Sequence, residues 1–407
     1  MMKRVFNFLL CLMSCLILSA QMPKLTVQQH LEDYDFAVKY LEDNYAGFPN
    51  KVVDSTRADY ESMRDRLRTE VSKGKRTCWD AVAAYTAWFD DFHTRLCLNY
   101  GDSSDGLNKQ YNEKYWSRKK IHYEKLMEVY RPQPVACKVT DKTFLVRFPS
   151  CYGTPGMEWI KGSIDDFKAS GCENLIIDIR DNGGGSDIYF KPYWELLYDH
   201  PGTQPAVEFR NTPEHQRLLL ESFREGGMPE PMVTAIQSVL PMISQIPYVP
   251  LGVVNQFLLG NGQDLSIKDL AGILGTLGSS SDAFTTMTFS RDSMDTSVRK
   301  AALIIDNGIA SSGEQMVRQI RLTSNRTTIY GRDNTMGCLD FSNLNEIEMP
   351  NSHINFTCPM SRTIGLPENG IDQTGFAPDV RIPLPLPARL TDNIDEWVTW
   401  VAAQLEK

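Results

Sequence analysis

Residues 302–331 constrain the fold of this chain more than any other segment. The apolar, β-branched run at 303–305 predicts a buried strand, which ends in a tight Asn-Gly turn at 307–308. A helix is expected directly after two serines, Ser311 and Ser312, and the helix leads into a second strand-like run. A strand, a helix and a second strand in this order form the repeating unit of parallel sheets.

Ser311 and Ser312 lie at the predicted corner between strand and helix. A serine at such a corner can be a nucleophile, because its hydroxyl is exposed and nearby helix-start amides can hold an oxyanion. It can equally be a helix cap, since serine accepts hydrogen bonds from first-turn amides at many helix starts. This segment by itself leaves both interpretations open.

Strands and helices also alternate earlier in the chain. The runs at 142–148 and 174–180 are β-branched and apolar, which predicts two further strands. Helices are predicted over 159–169 and 189–198. Strands that alternate with helices form parallel sheets with helices packed on their faces. The sequence therefore predicts an α/β fold built on a mostly parallel sheet.

Three further regions surround this predicted core. Residues 26–92 carry three amphipathic helical segments and predict a small N-terminal bundle. Residues 200–292 are rich in Pro and Gly and contain short helical groups, which predicts a partly helical insertion. Long insertions often line a site, so we expect this one to shape the pocket. Residues 393–406 predict one amphipathic C-terminal helix.

Charge and composition narrow the possible function classes. The 407 residues carry a net charge of −9, which argues against nucleic acid as a partner, because phosphate attracts clustered Lys and Arg. No internal segment is long and apolar enough to span a bilayer. No His or Cys cluster has the spacing of a zinc site, and no metal or organic cofactor is expected for this chain.

The first 20 residues predict a secretory signal peptide. Lys3 and Arg4 precede an apolar run over 5–18, and small residues up to Ala20 suit cleavage there. Cys15 offers a second interpretation, acylation as a lipoprotein, but the apolar run before it would be short. We therefore expect cleavage after Ala20 and export to the periplasm or the extracellular space. The scattered cysteines that remain assign no disulfide.

Three consecutive glycines, 183–185, follow the predicted strand at 174–180. Glycine loses more conformational entropy on folding than other residues, so such a run suits a place where backbone must approach another group closely. Its N–H groups can then point at a developing negative charge. A phosphate-binding loop is weakly supported, because the P-loop lysine and the dinucleotide glycine spacing are both missing. A plain turn also remains open.

His93 and Glu368 are further candidates for chemistry. His93 follows the third predicted helix, and imidazole titrates near neutrality and can take a proton from a hydroxyl. Asp90 or Asp91 could orient it, or both could be solvated charges at a helix end. Glu368 lies in a loop between extended segments, where the plain interpretation is a surface carboxylate.

Taken in order, the motifs of this chain resemble the tail-specific (C-terminal processing) serine peptidase family. They are DFHT after a helical start, IDIRDNGGG, LIIDNGIASSGE and ENGIDQTGFAPDVRI. The resemblance covers most of the chain except 200–292 and implies a crotonase/ClpP-like ββα core. The Gly-Lys-Gly turn of the Ser-Lys members corresponds to TMGC at 335–338 here, without a lysine. The chain therefore resembles the tricorn-core branch, which uses a serine with a distant histidine and a glutamate.

This resemblance implies a role for each residue that matches the branch. The implied catalytic residues are the nucleophile Ser311, the base His93 and the bracing acid Glu368. The implied oxyanion hole is formed by the amide of Ser312 and by one amide from Gly184 or Gly185.

Two departures from the branch bear on substrate handling and catalysis. Phe92 stands where a serine precedes the histidine in the tricorn core, so Thr94 would have to substitute or a shortened relay would have to suffice. The PDZ domain common in the family is missing, because the stretch between Leu96 and the strand at 142 has room for only about half of one. Capture of substrate tails by a PDZ domain is therefore not expected.

The implied activity is hydrolysis of peptide bonds in peptides or proteins, and the sequence does not define the oligomeric state. Two other classes remain open: an exported protein that binds peptide or glycan on the same fold without catalysis, and a serine esterase or amidase. The expected division is a signal peptide at 1–20, a bundle at 21–96, a first core part at 97–199, an insertion at 200–292 and a second core part at 293–407.

Overall fold

The computed structural model describes residues 22–97, 133–225, 227–250, 285–385, 387 and 394–407. The predicted signal peptide, with Cys15, lies outside these residues, and so does the stretch at 98–132. Within the described part of the chain, no helix combines the length and the apolar character needed to cross a bilayer.

Helices and strands follow one another along the described residues in an order close to the predicted one. The helices are α1 (Val27–Asn44), α2 (Phe48–Lys51), α3 (Asp54–Ser72), α4 (Cys78–Trp88), α5 (Met157–Ala169), α6 (Lys191–Leu197), α7 (Pro213–Glu225), α8 (Glu230–Val239), α9 (Ser312–Thr323) and α10 (Glu396–Leu405). The strands are β1 (Leu96–Cys97), β2 (Val135–Lys138), β3 (Thr143–Arg147), β4 (Asn174–Asp178), β5 (Gly202–Pro205), β6 (Val207–Arg210), β7 (Tyr248–Pro250), β8 (Thr286–Phe289), β9 (Lys300–Ile305), β10 (Thr327–Gly331), β11 (Phe341–Glu348), β12 (Asn355–Thr363) and β13 (Val380–Arg381).

A six-stranded sheet in the order β13-β10-β9-β4-β3-β2 forms the centre of the α/β core. All its pairs are parallel except β2 with β3. Strands β3 and β4 are buried at every position, as expected for a sheet covered on both faces. Helices α5, α6 and α9 pack on one face, and α10 packs on the other. The prediction of a mostly parallel sheet covered by helices is confirmed.

The N-terminal helices pack against the C-terminal half of the chain rather than forming an isolated bundle. Thr26 begins α1 with a capping box that includes Gln29, and Thr77 caps α4. The three long helices agree with the predicted pattern, whereas the single turn α2 was not expected. Their aromatic core continues into the β11–β12 hairpin, where Phe341 and Phe356 belong to the same buried cluster.

A second sheet forms around β12. Antiparallel pairing joins β12 to β1, β11 and β6, and β6 in turn to β7. Strands β5 and β8 form a separate two-stranded sheet. The region predicted as an insertion therefore contributes short strands as well as helices α7 and α8. These strands are three or four residues long, too short to show a period in the sequence.

Candidate active site

Ser311 lies at the corner between β9 and α9 in an unusual backbone conformation. Its φ is 53° and its ψ is −125°, on the left-handed side that residues with a Cβ rarely adopt. Its N–H donates to the carbonyl of Cys338 at 3.1 Å, and its carbonyl accepts from the amide of Gln315 at 2.9 Å. These two bonds hold the corner from both sides, and such strain is typical of functional positions.

The hydroxyls of the two serines are in different situations. Ser311 is the N-cap of α9 by position, yet its side chain caps nothing and makes no hydrogen bond within the described part of the chain. The Ser312 hydroxyl donates to the carbonyl of Gly185 at 2.9 Å. The cap interpretation of the sequence therefore has no support here, and Ser311 has the available hydroxyl.

The three consecutive glycines at 183–185, the glycine loop, pack directly against this corner. A Cβ built on Gly184, whose φ is +96°, would lie 2.7 Å from the Cβ of Ser311 and 2.9 Å from the amide nitrogen of Ser312. The amide of Gly184 donates to Oδ1 of Asn182 at 3.0 Å. The amides of Ser312 and Gly185 have no acceptor among the residues described. Of the amides predicted for an oxyanion hole, these two remain available and that of Gly184 is already engaged.

His93 is buried, and its ring is held by the main chain. Nδ1 lies 2.6 Å from the carbonyl oxygen of Phe341, and because a carbonyl can only accept, Nδ1 carries the proton. Nε2 of the neutral ring therefore has its lone pair free. Burial lowers the pKa of His93, and the nearby Asp91 carboxylate acts in the opposite direction. The neutral imidazole that a general base requires is thus favoured at neutral pH.

Residues around His93 fix its turn rather than its ring. Asp91 accepts from the His93 amide at 2.9 Å and from the hydroxyls of Thr94 and Tyr45, each at 2.8 Å. Its carboxylate therefore orients the backbone of the histidine, as one of the two predicted orienting residues. The hydroxyl of Thr94, the predicted substitute for the missing serine, thus donates to the Asp91 carboxylate. Phe92 lies in the wall of the cavity described below, in an apolar cluster with Cys338.

Cys338 lies in the turn at 335–338, which corresponds to the Gly-Lys-Gly turn of the Ser-Lys peptidases but contains no lysine. Its sulfur lies 3.6 Å from both ring nitrogens of His93, so it is in line with neither the Nδ1 proton nor the Nε2 lone pair. Burial raises the pKa of the Cys338 thiol well above its usual value. The thiol therefore packs against the imidazole as a neutral group.

Glu368 does not come to this site. Its side chain is exposed, lines no part of the cavity and makes no hydrogen bond within the described residues. The two residues that the structure brings together are Ser311 and His93, which line one cavity without a direct hydrogen bond between them.

A segment at 335–341, the active-site strap, links the serine helix to the histidine. Glu314 on α9 accepts from the hydroxyl of Thr335 at 2.5 Å and from the amides of Gly337 and Cys338, each at 2.7 Å. The far end of the strap supplies the Phe341 carbonyl that holds the His93 ring. Burial raises the pKa of Glu314 to about 7, partly offset by these hydrogen bonds.

Two aspartates fasten the strap to the following loop. Asp372 accepts from the amides of Leu339 and Asp340, at 3.0 and 2.9 Å. Asp340 accepts in return from the amides of Ile371 and Asp372, at 2.8 and 3.0 Å. Burial raises the pKa of both carboxyls, and the charge of Asp340 raises that of Asp372 further. Sequence reasoning missed this reciprocal pair, because two acids 32 positions apart carry no periodic signal.

The cavity has a volume of about 680 Å³, within the size range of small-molecule and peptide pockets. Its wall includes the glycine loop, both serines and His93. Gln204, Val207 and Met287, from the predicted insertion, also line it. Gln204 accepts a hydrogen bond from Gln315 of α9 at 3.1 Å. The expectation that the region at 200–292 contributes to the pocket thus has specific residues behind it.

Comparisons with known proteins find relatives by both the sequence and the fold. The family model for peptidase family S41 matches residues 142–382. The fold is similar to that of a putative peptidase from Parabacteroides merdae ATCC 43184, with 16% identity, 88% of this chain and 90% of that chain covered, and a TM-score of 0.51. It is also similar to mature CPAF, with 14% identity, coverage of 94% and 96%, and a TM-score of 0.55. No curated protein matches the sequence.

Proposed function

This chain belongs to peptidase family S41, the tail-specific peptidases that its motifs resemble, and is a hydrolase of that family; we propose that it cleaves peptide bonds through Ser311. The observation that carries the proposal is the Ser311 hydroxyl, which is held at a strained strand-to-helix corner, without a hydrogen bond in the described residues, in the same cavity as a buried neutral histidine. A free hydroxyl beside a base is the arrangement that acyl transfer requires.

The proposed mechanism assigns one task to each group. Nε2 of His93 takes the proton of Ser311, and the hydroxyl oxygen attacks the peptide carbonyl to form a tetrahedral intermediate. The amides of Ser312 and Gly185 donate to the oxyanion, and His93 returns the proton to the leaving amine. His93 then takes a proton from water, which attacks the acyl group on Ser311. As the bond between the acyl carbon and the Ser311 oxygen breaks, His93 returns the proton to that oxygen. The carbonyl of Phe341 takes the position in which other triads use a carboxylate, because it accepts from Nδ1.

The third catalytic residue of the predicted set, the acid, is not part of the mechanism proposed above. Glu368 is the residue that the family resemblance implies, and its exposed position gives this role no contact to act through. Export likewise remains a proposal that rests on the apolar N-terminal run of the sequence.

Labelling with a fluorophosphonate probe tests the proposal directly. We expect wild-type protein to be labelled, and we expect Ser311→Ala and His93→Ala to abolish labelling, because one removes the nucleophile and the other its base. Ser312→Ala is the matched control and should keep it. Circular dichroism establishes that each variant is folded.

Other outcomes have defined meanings. Labelling that survives Ser311→Ala but not Ser312→Ala would assign the nucleophile to Ser312. An unlabelled wild type that still binds peptides would favour the non-catalytic binding protein, and turnover of esters without turnover of peptides would favour an esterase. Full labelling of Glu368→Gln, with peptide turnover unchanged, would remove Glu368 from the catalytic set.

A further inference from the structure

Arg318 lines the catalytic cavity although it is almost completely buried. Its exposed fraction is 7%, and within the described part of the chain its guanidinium makes neither a hydrogen bond nor an ion pair. A guanidinium has five N–H donors and is always charged. Burial of a charge without a partner is costly, so proteins rarely keep one unless something binds it.

The contacts that Arg318 does make leave its donors unused. Its guanidinium carbon lies 5.4 Å from the centre of the Phe376 ring, a cation–π contact that stabilises the charge but accepts no hydrogen bond. Burial lowers the pKa of Arg318, and the more distant carboxylates of Asp340 and Glu314 oppose this shift. Both of those carboxylates are engaged with backbone amides of the strap and its loop. The donors of Arg318 therefore remain available to a molecule in the cavity.

Helix geometry puts Arg318 on the same side of α9 as the proposed nucleophile. Ser311, Gln315 and Arg318 follow one another at spacings of four and three, which is one face of a helix, and all three line the cavity. Seven residues of helix extend about 10 Å, which an extended peptide covers in about three residues. Long side chains lean toward the helix N-terminus, which brings the guanidinium closer to Ser311.

We propose that Arg318 is a subsite for a substrate carboxylate, so that the peptidase prefers peptides with a carboxylate within about three residues of the cleaved bond. The planar fork of a guanidinium matches a carboxylate in two parallel hydrogen bonds, which gives both affinity and orientation. This inference rests on the proposed function of Ser311. The carboxylate can belong to a free C-terminus or to an Asp or Glu side chain, and the two sources are separated by experiment.

The test uses a neutral peptide amide, the same peptide as a free acid, and amidated versions with one Glu at each of the three positions on either side of the cleaved bond. We expect wild-type kcat/KM to be about 10- to 100-fold higher for a carboxylate-bearing member of this set. Preference for the free acid identifies a C-terminus as the ligand, and preference for an internal Glu identifies a side chain.

Arg318→Gln should remove this preference mainly through KM, so that kcat/KM for the carboxylate-bearing peptide falls by about 10- to 100-fold relative to kcat/KM for the neutral amide. Arg321→Gln is the matched control, because Arg321 contacts the same Phe376 ring from the same helix but is exposed and paired with Asp379. It should retain the wild-type preference. Equal rates of wild type on all peptides, or a preference that survives in Arg318→Gln, would overturn the subsite.

A binding measurement keeps this test independent of catalysis. Fluorescent peptide acid and amide are titrated into Ser311→Ala and into the double variant Ser311→Ala with Arg318→Gln. We expect the single variant to bind the carboxylate form about 10-fold or more tightly, and the double variant to bind both forms alike. Equal binding by the single variant would exclude the subsite even if the protein cleaved no peptide. Selective binding without labelling of wild type would instead reject the proposed function and keep the subsite.

Discussion

Glu314 connects the helix of the proposed nucleophile to the strap that holds the histidine. One of its oxygens accepts two hydrogen bonds and the other accepts one. A glutamine in its place could accept only at its single oxygen, and its NH2 group would face an amide that is also a donor. Only a carboxyl group can therefore accept all three of these hydrogen bonds, although burial destabilises its charged form.

The raised pKa of Glu314 predicts how stability depends on pH. Burial raises this pKa from 4.5 to about 7, so between these values the folded chain holds a proton that the unfolded chain has lost. The contribution of Glu314 to the free energy of unfolding is therefore largest below pH 4.5 and falls as the pH rises to 7, by up to about 3 kcal/mol. Urea unfolding at pH 5 and pH 8, compared between wild type and Glu314→Gln, measures this loss, because other buried carboxyls such as Asp306 also have a raised pKa.

Glu314→Gln isolates the effect. At pH 5 the protonated carboxyl of Glu314 can still accept from the Cys338 amide through its hydroxyl oxygen, whereas the NH2 group of Gln cannot. We therefore expect the variant to be less stable at pH 5 and to lack this part of the pH dependence. Glu396→Gln, an exposed carboxylate on α10, should follow the wild-type curve. Parallel curves for wild type and Glu314→Gln would show that Glu314 does not titrate in this range.

The glycine loop packs against the start of α9, and this contact between two elements determines the shape of the proposed oxyanion hole. Neither element can move away from the other without losing a contact, since Gly313 also lies against the carbonyl of Asn182. Glycine is required at 184 for two independent reasons, a positive φ and the lack of space for a Cβ.

Gly184→Ala should therefore displace the loop from the two serines. We expect kcat/KM to fall about 100-fold or more, the magnitude that loss of an oxyanion donor produces. Gly183→Ala is the matched control, because a Cβ at 183 would meet no atom within 4 Å. It should retain activity within about threefold. Equal activity of both variants on a peptide substrate would contradict the proposed hole.

The elements themselves were largely predictable, whereas their contacts were not. β4 and β9 appear in the sequence as β-branched runs, and the corner at Ser311 follows from the turn and the helix pattern around it. The partner of the His93 ring could not be predicted, because it is the backbone carbonyl of Phe341 and every residue has a backbone carbonyl. The buried position of Arg318 was equally hidden, since a lone arginine in a helix is usually exposed.

In the molecule as a whole, a buried cluster of four charged side chains connects the last helix, α10, to the α/β core. Asp178 accepts from Arg147 at 2.8 Å and from Arg180 at 2.6 Å, and Asp395 accepts from the same two arginines at 3.3 and 2.6 Å. The other oxygen of Asp395 caps α10. Burial alone would raise the pKa of Asp178, but the two guanidinium groups lower it overall.

Asp395→Asn should destabilise the whole chain. It leaves two buried guanidinium groups with one carboxylate, and removal of one partner from a buried ion pair typically costs about 3–5 kcal/mol. We expect the free energy of unfolding in urea to fall by about this amount. Glu396→Gln, one residue further along and exposed, should change it by less than about 0.5 kcal/mol. A similar small change in Asp395→Asn would show that the cluster contributes little to stability.

The bond between the His93 ring and the Phe341 carbonyl spans 248 positions of the chain. A nascent polypeptide with only its N-terminal helices therefore carries the imidazole without the group that orients it, and the serine is still to be made. A folded α/β core by itself would lack the proposed base, because His93 meets the Phe341 carbonyl where the N-terminal helices pack on the β11–β12 hairpin. The proposed peptidase activity is therefore expected only in a chain that has been made through the β11–β12 hairpin and has packed this hairpin against its N-terminal helices.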